Sequence, residues 1–199
     1  MRRLFALVLA IMLTACASST TVRGRLHYGM DDAPEGQKLM WPAAPEVPRF
    51  LYTGTLVGEP NFRANDEQRP ALERLGRWIV GLDGSGTSPQ VLQRPSAVAG
   101  DDAGRLYVAD VSRQAVFVFD EKAGELLLWE HADPRRRFVA PSGIALAADS
   151  AYVSDAELGA VFVLSLQGEP RGVVGKGQLK RPTGIARDAG TGRLFVADT

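Results

Sequence analysis

Pro141-Ser-Gly-Ile-Ala145, Ala151-Tyr-Val-Ser-Asp155 and Ala160-Val-Phe-Val-Leu164 form the stretch that decides the fold, because the chain carries the pattern three times. An earlier copy reads Pro95-Ser-Ala-Val-Ala99, Gly104-Arg-Leu-Tyr-Val-Ala-Asp110 and Ala115-Val-Phe-Val-Phe-Asp120. A later one reads Pro182-Thr-Gly-Ile-Ala186 and Gly192-Arg-Leu-Phe-Val-Ala-Asp198. The leading prolines are 46 and 41 residues apart. A period of this length, built of short apolar strands, points to a propeller or another repeat array.

Each copy holds short runs rich in Val, Ile, Tyr and Phe, bounded by turn residues, which is strand chemistry. Asp101-Asp-Ala-Gly104 and Asp188-Ala-Gly-Thr-Gly192 supply the residues that tight turns require. They predict a hairpin between the first and second strands of a copy. Leu126-Leu-Leu-Trp129 and Arg171-Gly-Val-Val174 are the expected outer fourth strands. Val116-Phe-Val-Phe119 and Val161-Phe-Val-Leu164 are apolar at every position. Such strands must be covered on both faces, and a blade sandwiched between neighbours meets that need. The proline that opens each copy suits the first residue of a strand. Asp110, Asp155 and Asp198 recur at the end of the second strand. Their repetition assigns them to turn formation, by bonding nearby backbone N–H groups, rather than to catalysis.

These residues resemble the NHL repeat, whose consensus runs roughly Pro-x-Gly-Ile-Ala-Val-Asp, Gly-x-Leu-Tyr-Val-Ala-Asp, a short turn and a Val-Phe strand. The second and third copies match best, while the first has Ala97 in place of Gly. The family's Thr-Gly-Asn-His turn is replaced by Val111-Ser-Arg-Gln114 and Ala156-Glu-Leu-Gly159. Trp41-Pro-Ala-Ala-Pro-Glu-Val-Pro-Arg-Phe50 is similar to the opening of bacterial NHL-repeat lipoproteins. The resemblance covers roughly 41–199 and implies an all-β chain, a partial β-propeller of four-stranded blades. Propellers of this type include protein-binding, RNA-binding and a few enzymatic members, so the fold alone does not name the activity.

The front of the chain is separate in kind. Arg2 and Arg3 precede an apolar run from Leu4 to Leu13, too short to span a bilayer and suited to a signal peptide. Leu13-Thr-Ala-Cys16 reads as a bacterial lipobox. Leu13, Thr14 and Ala15 would be recognised by the processing enzyme, and cleavage would leave Cys16 to carry a diacylglycerol and an acylated amine. Residues 1–15 are therefore expected as a signal peptide and 16–48 as a lipidated cysteine with an extended tether. Residues 49–199 are expected as an incomplete propeller. Trp41 to Pro48 holds three prolines in eight residues and reads as stiff and extended. Phe50-Leu-Tyr-Thr-Gly-Thr-Leu-Val57 is the expected first strand of the propeller. The implied location is the bacterial cell envelope, extracytoplasmic, at the outer membrane facing the periplasm if the host has two membranes. With one cysteine in the chain, no intramolecular disulfide framework is available.

Between that first strand and the first clear repeat, Ala71, Leu72, Leu75, Trp78, Ile79 and Leu82 share one helical face. An inserted amphipathic helix is expected near 67–80, with a mixed-charge polar face that fits packing over the propeller better than membrane binding. Six blades would need about 250 residues, and the chain ends at Ala197-Asp198-Thr199 in mid-copy. A fragment of a longer protein is expected.

The chain has 23 basic and 23 acidic residues, and 21 against 23 without Arg2 and Arg3, a balance that does not suggest nucleic acid. Arg135-Arg-Arg137 is the one basic cluster and is expected as a solvated loop. His27 and His131 have no partner at ligand spacing. Neither a phosphate loop nor a Gly-x-Ser-x-Gly is present, and Gly175-Lys-Gly177 lacks the phosphate-loop pattern. The lactonase-like propellers hold a metal through Glu, Asn and Asp. Glu59, Asn61, Asp83 and Asp149 are the candidates for such a site, with no spacing to support them. The reading is a lipid-anchored propeller that binds a protein or other envelope ligand through its loops, with no cofactor, metal or catalytic residue assigned. The alternative is a metal-dependent propeller enzyme of the lactonase or lyase kind.

Overall fold

The computed structural model describes residues 21–30, 34, 39–43, 45–63 and 88–199. The helix expected near 67–80, the signal segment 1–15, Cys16 and Asp83 lie outside the described residues. The described chain is all-β. An N-terminal module holds β1 (Thr21–Arg23), β2 (Arg25–Leu26), β3 (Met40–Trp41), β4 (Phe50–Leu51), a 3-10 turn (Glu59–Asn61) and β5 (Phe62–Arg63). The first copy forms β6 (Pro95–Gly100), β7 (Arg105–Asp110), β8 (Ala115–Asp120) and β9 (Glu125–Trp129). A small ribbon follows, β10 (His131–Asp133) with β11 (Arg136–Arg137). The second copy forms β12 (Pro141–Leu146), β13 (Ser150–Asp155), β14 (Ala160–Ser165) and β15 (Pro170–Val174). The third contributes β16 (Pro182–Arg187) and β17 (Leu194–Asp198).

Within each copy the strands pair antiparallel in chain order, as a meander. The opening prolines each begin a first strand, where a missing N–H removes no ladder bond, and the register slips by one residue just after each of them. The first strands of consecutive copies are linked. Ser96 Oγ donates to the Pro141 carbonyl at 3.1 Å, and Ser142 Oγ donates to the Pro182 carbonyl at 2.8 Å. Successive four-stranded meanders joined through their first strands are arranged as propeller blades.

The all-apolar strands are explained by two cores. Along β8, Val116 and Val118 face the second copy, in a cluster with Tyr107, Trp129, Phe138 and Phe162. Phe117 and Phe119 point the other way, toward Leu26 and Phe62 of the N-terminal module. Side-chain alternation along a strand thus feeds both cores from one run. Phe138 meets Phe162 edge-on at 6.0 Å, and Phe62 stacks on Phe119 at 6.2 Å.

Two expectations for the N-terminal region are corrected. Thr21–Arg23 and Arg25–Leu26, expected within the tether, are strands. β1 adds to the outer edge of β9 with Thr21 opposite Leu127 and Arg23 opposite Glu125, and Arg23 forms an ion pair with Glu125 at 2.9 Å. Short, polar, charged segments are what sheet edges use, so the same composition reads as linker in the sequence. The strand expected over 50–57 is laddered only at Phe50–Leu51, opposite Met40–Trp41. Gly54 ends it: its φ is +137°, and a Cβ there would lie 1.6 Å from the Tyr28 carbonyl oxygen. The chain instead crosses closely at the Gly29–Gly54 bridge.

The turn between β14 and β15 depends on a second glycine. Gly168 has φ +87°, and a Cβ there would meet the Trp129 indole at 2.5 Å. Gly168→Ala is expected to destabilise the fold by about 2 kcal/mol or more, from the left-handed backbone penalty and displacement of Trp129. Equilibrium urea unfolding checks this, with Gly172→Ala as control, since nothing lies within 4 Å of a Cβ at that position.

Candidate functional site

The three recurrent aspartates sit at one structural position. Asp110 accepts from the backbone N–H groups of Gln93 (2.6 Å), Arg94 (3.0 Å) and Arg113 (2.9 Å). Asp155 accepts from Val139 (2.8 Å), Ala140 (3.1 Å), Glu157 (3.1 Å) and Leu158 (3.0 Å). Asp198 accepts from Lys180 (3.0 Å) and Arg181 (2.6 Å). The donors Gln93-Arg94, Val139-Ala140 and Lys180-Arg181 are in each case the two residues before the opening proline. Each carboxylate clamps the entry of a first strand to the end of its second strand. Asp110 and Asp155 are fully buried and their oxygens are occupied by backbone donors, so neither is free to hold a metal.

The other candidates are dispersed in the same way. Asn61 is buried, and its amide is used on both sides. Oδ1 accepts from Val57 N–H (2.6 Å) and Gly58 N–H (3.1 Å), and Nδ2 donates to the His27 and Thr55 carbonyls, both at 2.8 Å. Glu59 accepts from Gln90 N–H at 2.8 Å. Asp149 pairs with Arg171 at 3.0 Å on another sheet. Asn61 and Glu59 share one turn, and the structure does not bring Asp149 to them. Among the described residues no group of three or more His, Cys, Asp or Glu side chains is gathered as a metal site would require. Gly175 and Gly177, both with positive φ, form the turn after β15. His131 is exposed on β10, and the main chain of half-buried His27 is tied to Asn61.

The basic cluster is more ordered than a solvated loop. Arg136 pairs with Asp133 at 2.6 Å and lies over the Phe162 ring at 5.5 Å. Arg137 pairs with Glu130 at 2.5 Å. Arg135 is exposed and has no side-chain ion pair among the described residues. The β10–β11 ribbon exists because the first interval between prolines is five residues longer than the second. It leaves an open cleft of about 350 Å³ against β15, lined by Asp133, Pro134, Arg135, Pro170, Arg171 and Val173. The backbone N–H of Arg135, then the Arg136 guanidinium, holds the Asp133 carboxyl below its ordinary range. The Ser150 hydroxyl, then Arg171, does the same for Asp149. Both carboxylates are therefore ionised at neutral pH. Arg136 and Arg171 are each engaged by one of them, and Arg135 is the uncommitted cation at the cleft. A second open cleft, about 300 Å³, lies between His27, Tyr28 and Met30 on one side and Tyr52 and Pro60 on the other.

The fold and this geometry define an all-β repeat protein of propeller-like blades, with a cleft beside Arg135 where the repeat is interrupted. No family model matches the chain, and no curated protein matches it. Similar solved structures are a nidogen/laminin complex (23% identity, 55% of this chain, 43% of that chain, TM-score 0.46) and the hydrazine synthase of Kuenenia stuttgartiensis (20%, 58%, 32%, 0.42). A third is virginiamycin B lyase from Staphylococcus aureus (12%, 58%, 40%, 0.42). The chain spans less than half the length of each.

Sequence reasoning missed Ser96 and Ser142, whose hydroxyls join the blades; the recurring Pro-Ser or Pro-Thr pair was the available signal. Asp155→Ala leaves four backbone N–H groups without their acceptor and is expected to cost about 3 kcal/mol or more. Asp198→Ala, at an exposed carboxylate, is expected to cost under about 1 kcal/mol. Urea unfolding of the two variants checks the ranking; equal, negligible costs would remove the clamp role.

Asp101 gives the fold an acid limit. Burial pushes its carboxyl up, but the N–H and guanidinium of Arg105 and the Tyr107 hydroxyl together outweigh this, leaving it below the ordinary 3.8. A lowered folded value gives stability that is present above the unfolded value and is lost as pH falls through the folded one. Asp101→Asn is expected to lower stability at pH 7 and to flatten its decline below pH about 4, as followed by thermal melts from pH 7 to 2.

Proposed function

We propose that this chain is an NHL-type propeller lipoprotein of the bacterial cell envelope, held extracytoplasmically by an acylated Cys16, that binds a protein ligand through its interblade loops. The observation that carries the binding role is the β10–β11 ribbon. A departure from the repeat gives the array a surface found at a single place, and loops on a rigid scaffold are where recognition residues concentrate. The ribbon is such a departure, and it sets unpaired Arg135 beside Arg171 and an apolar wall of Pro134, Pro170 and Val173. A guanidinium with open donors next to apolar surface suits a protein segment carrying a carboxylate.

Membrane attachment follows from the Leu13-Thr-Ala-Cys16 motif. Several acyl chains on one residue give durable anchoring.

Two measurements test the reading. Arg135→Glu is expected to weaken capture of an envelope protein by the immobilised chain about tenfold, equivalent to ~1.4 kcal/mol, with an unchanged melting temperature. Unchanged capture would remove the cleft from the binding role, and a stoichiometric metal found by elemental analysis would favour the lactonase-like or lyase-like enzyme instead. Cys16→Ser is expected to abolish incorporation of labelled palmitate; retained label would overturn the anchor.

A further inference from the structure

The hairpin between residues 39 and 52 presents exposed apolar side chains on both faces. Met40 is opposite Leu51 and Trp41 opposite Phe50. The ladder is extended by Tyr52 N–H to the Leu39 carbonyl (2.8 Å) and Arg49 N–H to the Trp41 carbonyl (2.9 Å). A two-stranded ribbon on a soluble surface ordinarily turns one polar face to water. Here Trp41 and Phe50 are 62% and 63% exposed on one face, and Met40 and Leu51 are 51% and 50% exposed on the other. Leu39, Val47 and Tyr52 continue the apolar surface. Soluble proteins scatter exposed apolar residues singly, so a contiguous group of this kind marks a contact.

The strand pairing of β1 limits how far Cys16 can lie from the fold. Because Thr21 is fixed to β9, only residues 17–20 separate it from Cys16. Five residue steps reach at most about 18 Å. A lipidated Cys16 therefore holds the blade edge close to the bilayer instead of on a leash of more than thirty residues. The hairpin belongs to the same N-terminal module, through the Gly29–Gly54 bridge two residues from Tyr52. Its content is that of a membrane interface: Trp41, Tyr52 and Phe50 with Leu39, Met40 and Leu51, and only Glu46 and Arg49 charged between residues 39 and 52. Trp and Tyr concentrate at the headgroup level because one end of the ring system is apolar and the other is wet.

We propose that the 39–52 hairpin inserts into the headgroup and acyl boundary as a second membrane contact beside the Cys16 lipid. This inference rests on the lipoprotein reading. Attachment is already provided by the acyl chains, so the hairpin acts on orientation. The short connection keeps it at high effective concentration near the surface, where even weak insertion is well populated.

The test uses the full acylated protein in vesicles of phosphatidylethanolamine and phosphatidylglycerol, carrying Trp78→Phe. Trp129 is 4% exposed and supplies a constant background, so changes report Trp41. The expected result is quenching of at least half of the Trp41 emission by phospholipids brominated near the headgroup, with protection from aqueous acrylamide. Phe50→Ser with Leu51→Ser is expected to reduce the lipid quenching at least threefold without changing the melting temperature. Quenching by acrylamide but not by brominated lipid would place the hairpin in water and overturn the proposal. Quenching by neither would mean that residues 64–87, a second copy or another protein covers it, and would overturn it equally. Labelled palmitate on Cys16 is read separately. If the label is absent, the anchor fails on its own; if it is present and Trp41 is not lipid-quenched, only the hairpin proposal fails.

Discussion

The carboxylate clamp at the end of each second strand is the interaction on which the rest of the structure depends. A strand that opens with proline has no N–H at its first residue, and the two residues before it donate into no ladder. Asp110, Asp155 and Asp198 supply the missing acceptors. The loop is closed from the other side by Val111, Ala156 and Thr199 N–H groups, which donate to the carbonyls of Arg94, Ala140 and Arg181. That closure fixes where the first strand starts. Only with the start fixed can Ser96 and Ser142 reach the proline carbonyl of the following copy. One side chain per repeat thus sets the register within a sheet and the joint between sheets. Burying a carboxylate without a cation is tolerable here because backbone N–H groups fill its lone pairs.

Against that regularity, two departures give the molecule its individuality. The N-terminal module covers the outer face of the first sheet, where Phe117 and Phe119 would otherwise be exposed, and it closes that face with Leu26 and Phe62. The β10–β11 ribbon buries Ala132 and Phe138 and anchors Arg136 over Phe162, so the insertion is tied into the interblade core. A ribbon held this way keeps Arg135 in a defined place at little conformational cost. An unstructured loop of the same length would have to be ordered on binding.

Much of the fold was legible in the sequence because repetition separates what the scaffold needs from what it does not. The first three strands, the outer strands at Glu125–Trp129 and Pro170–Val174 and the hairpin turns all follow from composition and spacing. The N-terminal module was not legible. Thr21-Val-Arg23 is too short and polar to separate from linker without knowing that β9 has a free edge. Phe50-Leu-Tyr-Thr-Gly-Thr-Leu-Val57 has strand composition, but the close approach of Tyr28 to Gly54 is a long-range fact that local pattern does not contain. For the site, the aspartates could be assigned to local backbone bonding but not to their particular donors sixteen or so residues upstream. Arg137 looked solvated because its partner Glu130 becomes a neighbour only when the ribbon pairs; Asp133 is three residues before Arg136, but the contact of Arg136 with the Phe162 ring is long-range.

The pinning of β1 also changes what an anchor at Cys16 would do. A long tether would let the body sample a wide shell above the membrane, with each surface meeting partners about equally often. With a lipid on Cys16, a connection of four residues would remove most of that freedom, and the choice of which face meets the bilayer would become a property of the fold. The segment best suited to set that choice is the one whose two faces are both apolar. Orientation and recognition would then be divided between the N-terminal module and the interrupted repeat. Such a division would leave the clamp residues of the blades to serve stability alone, in keeping with their identity from copy to copy.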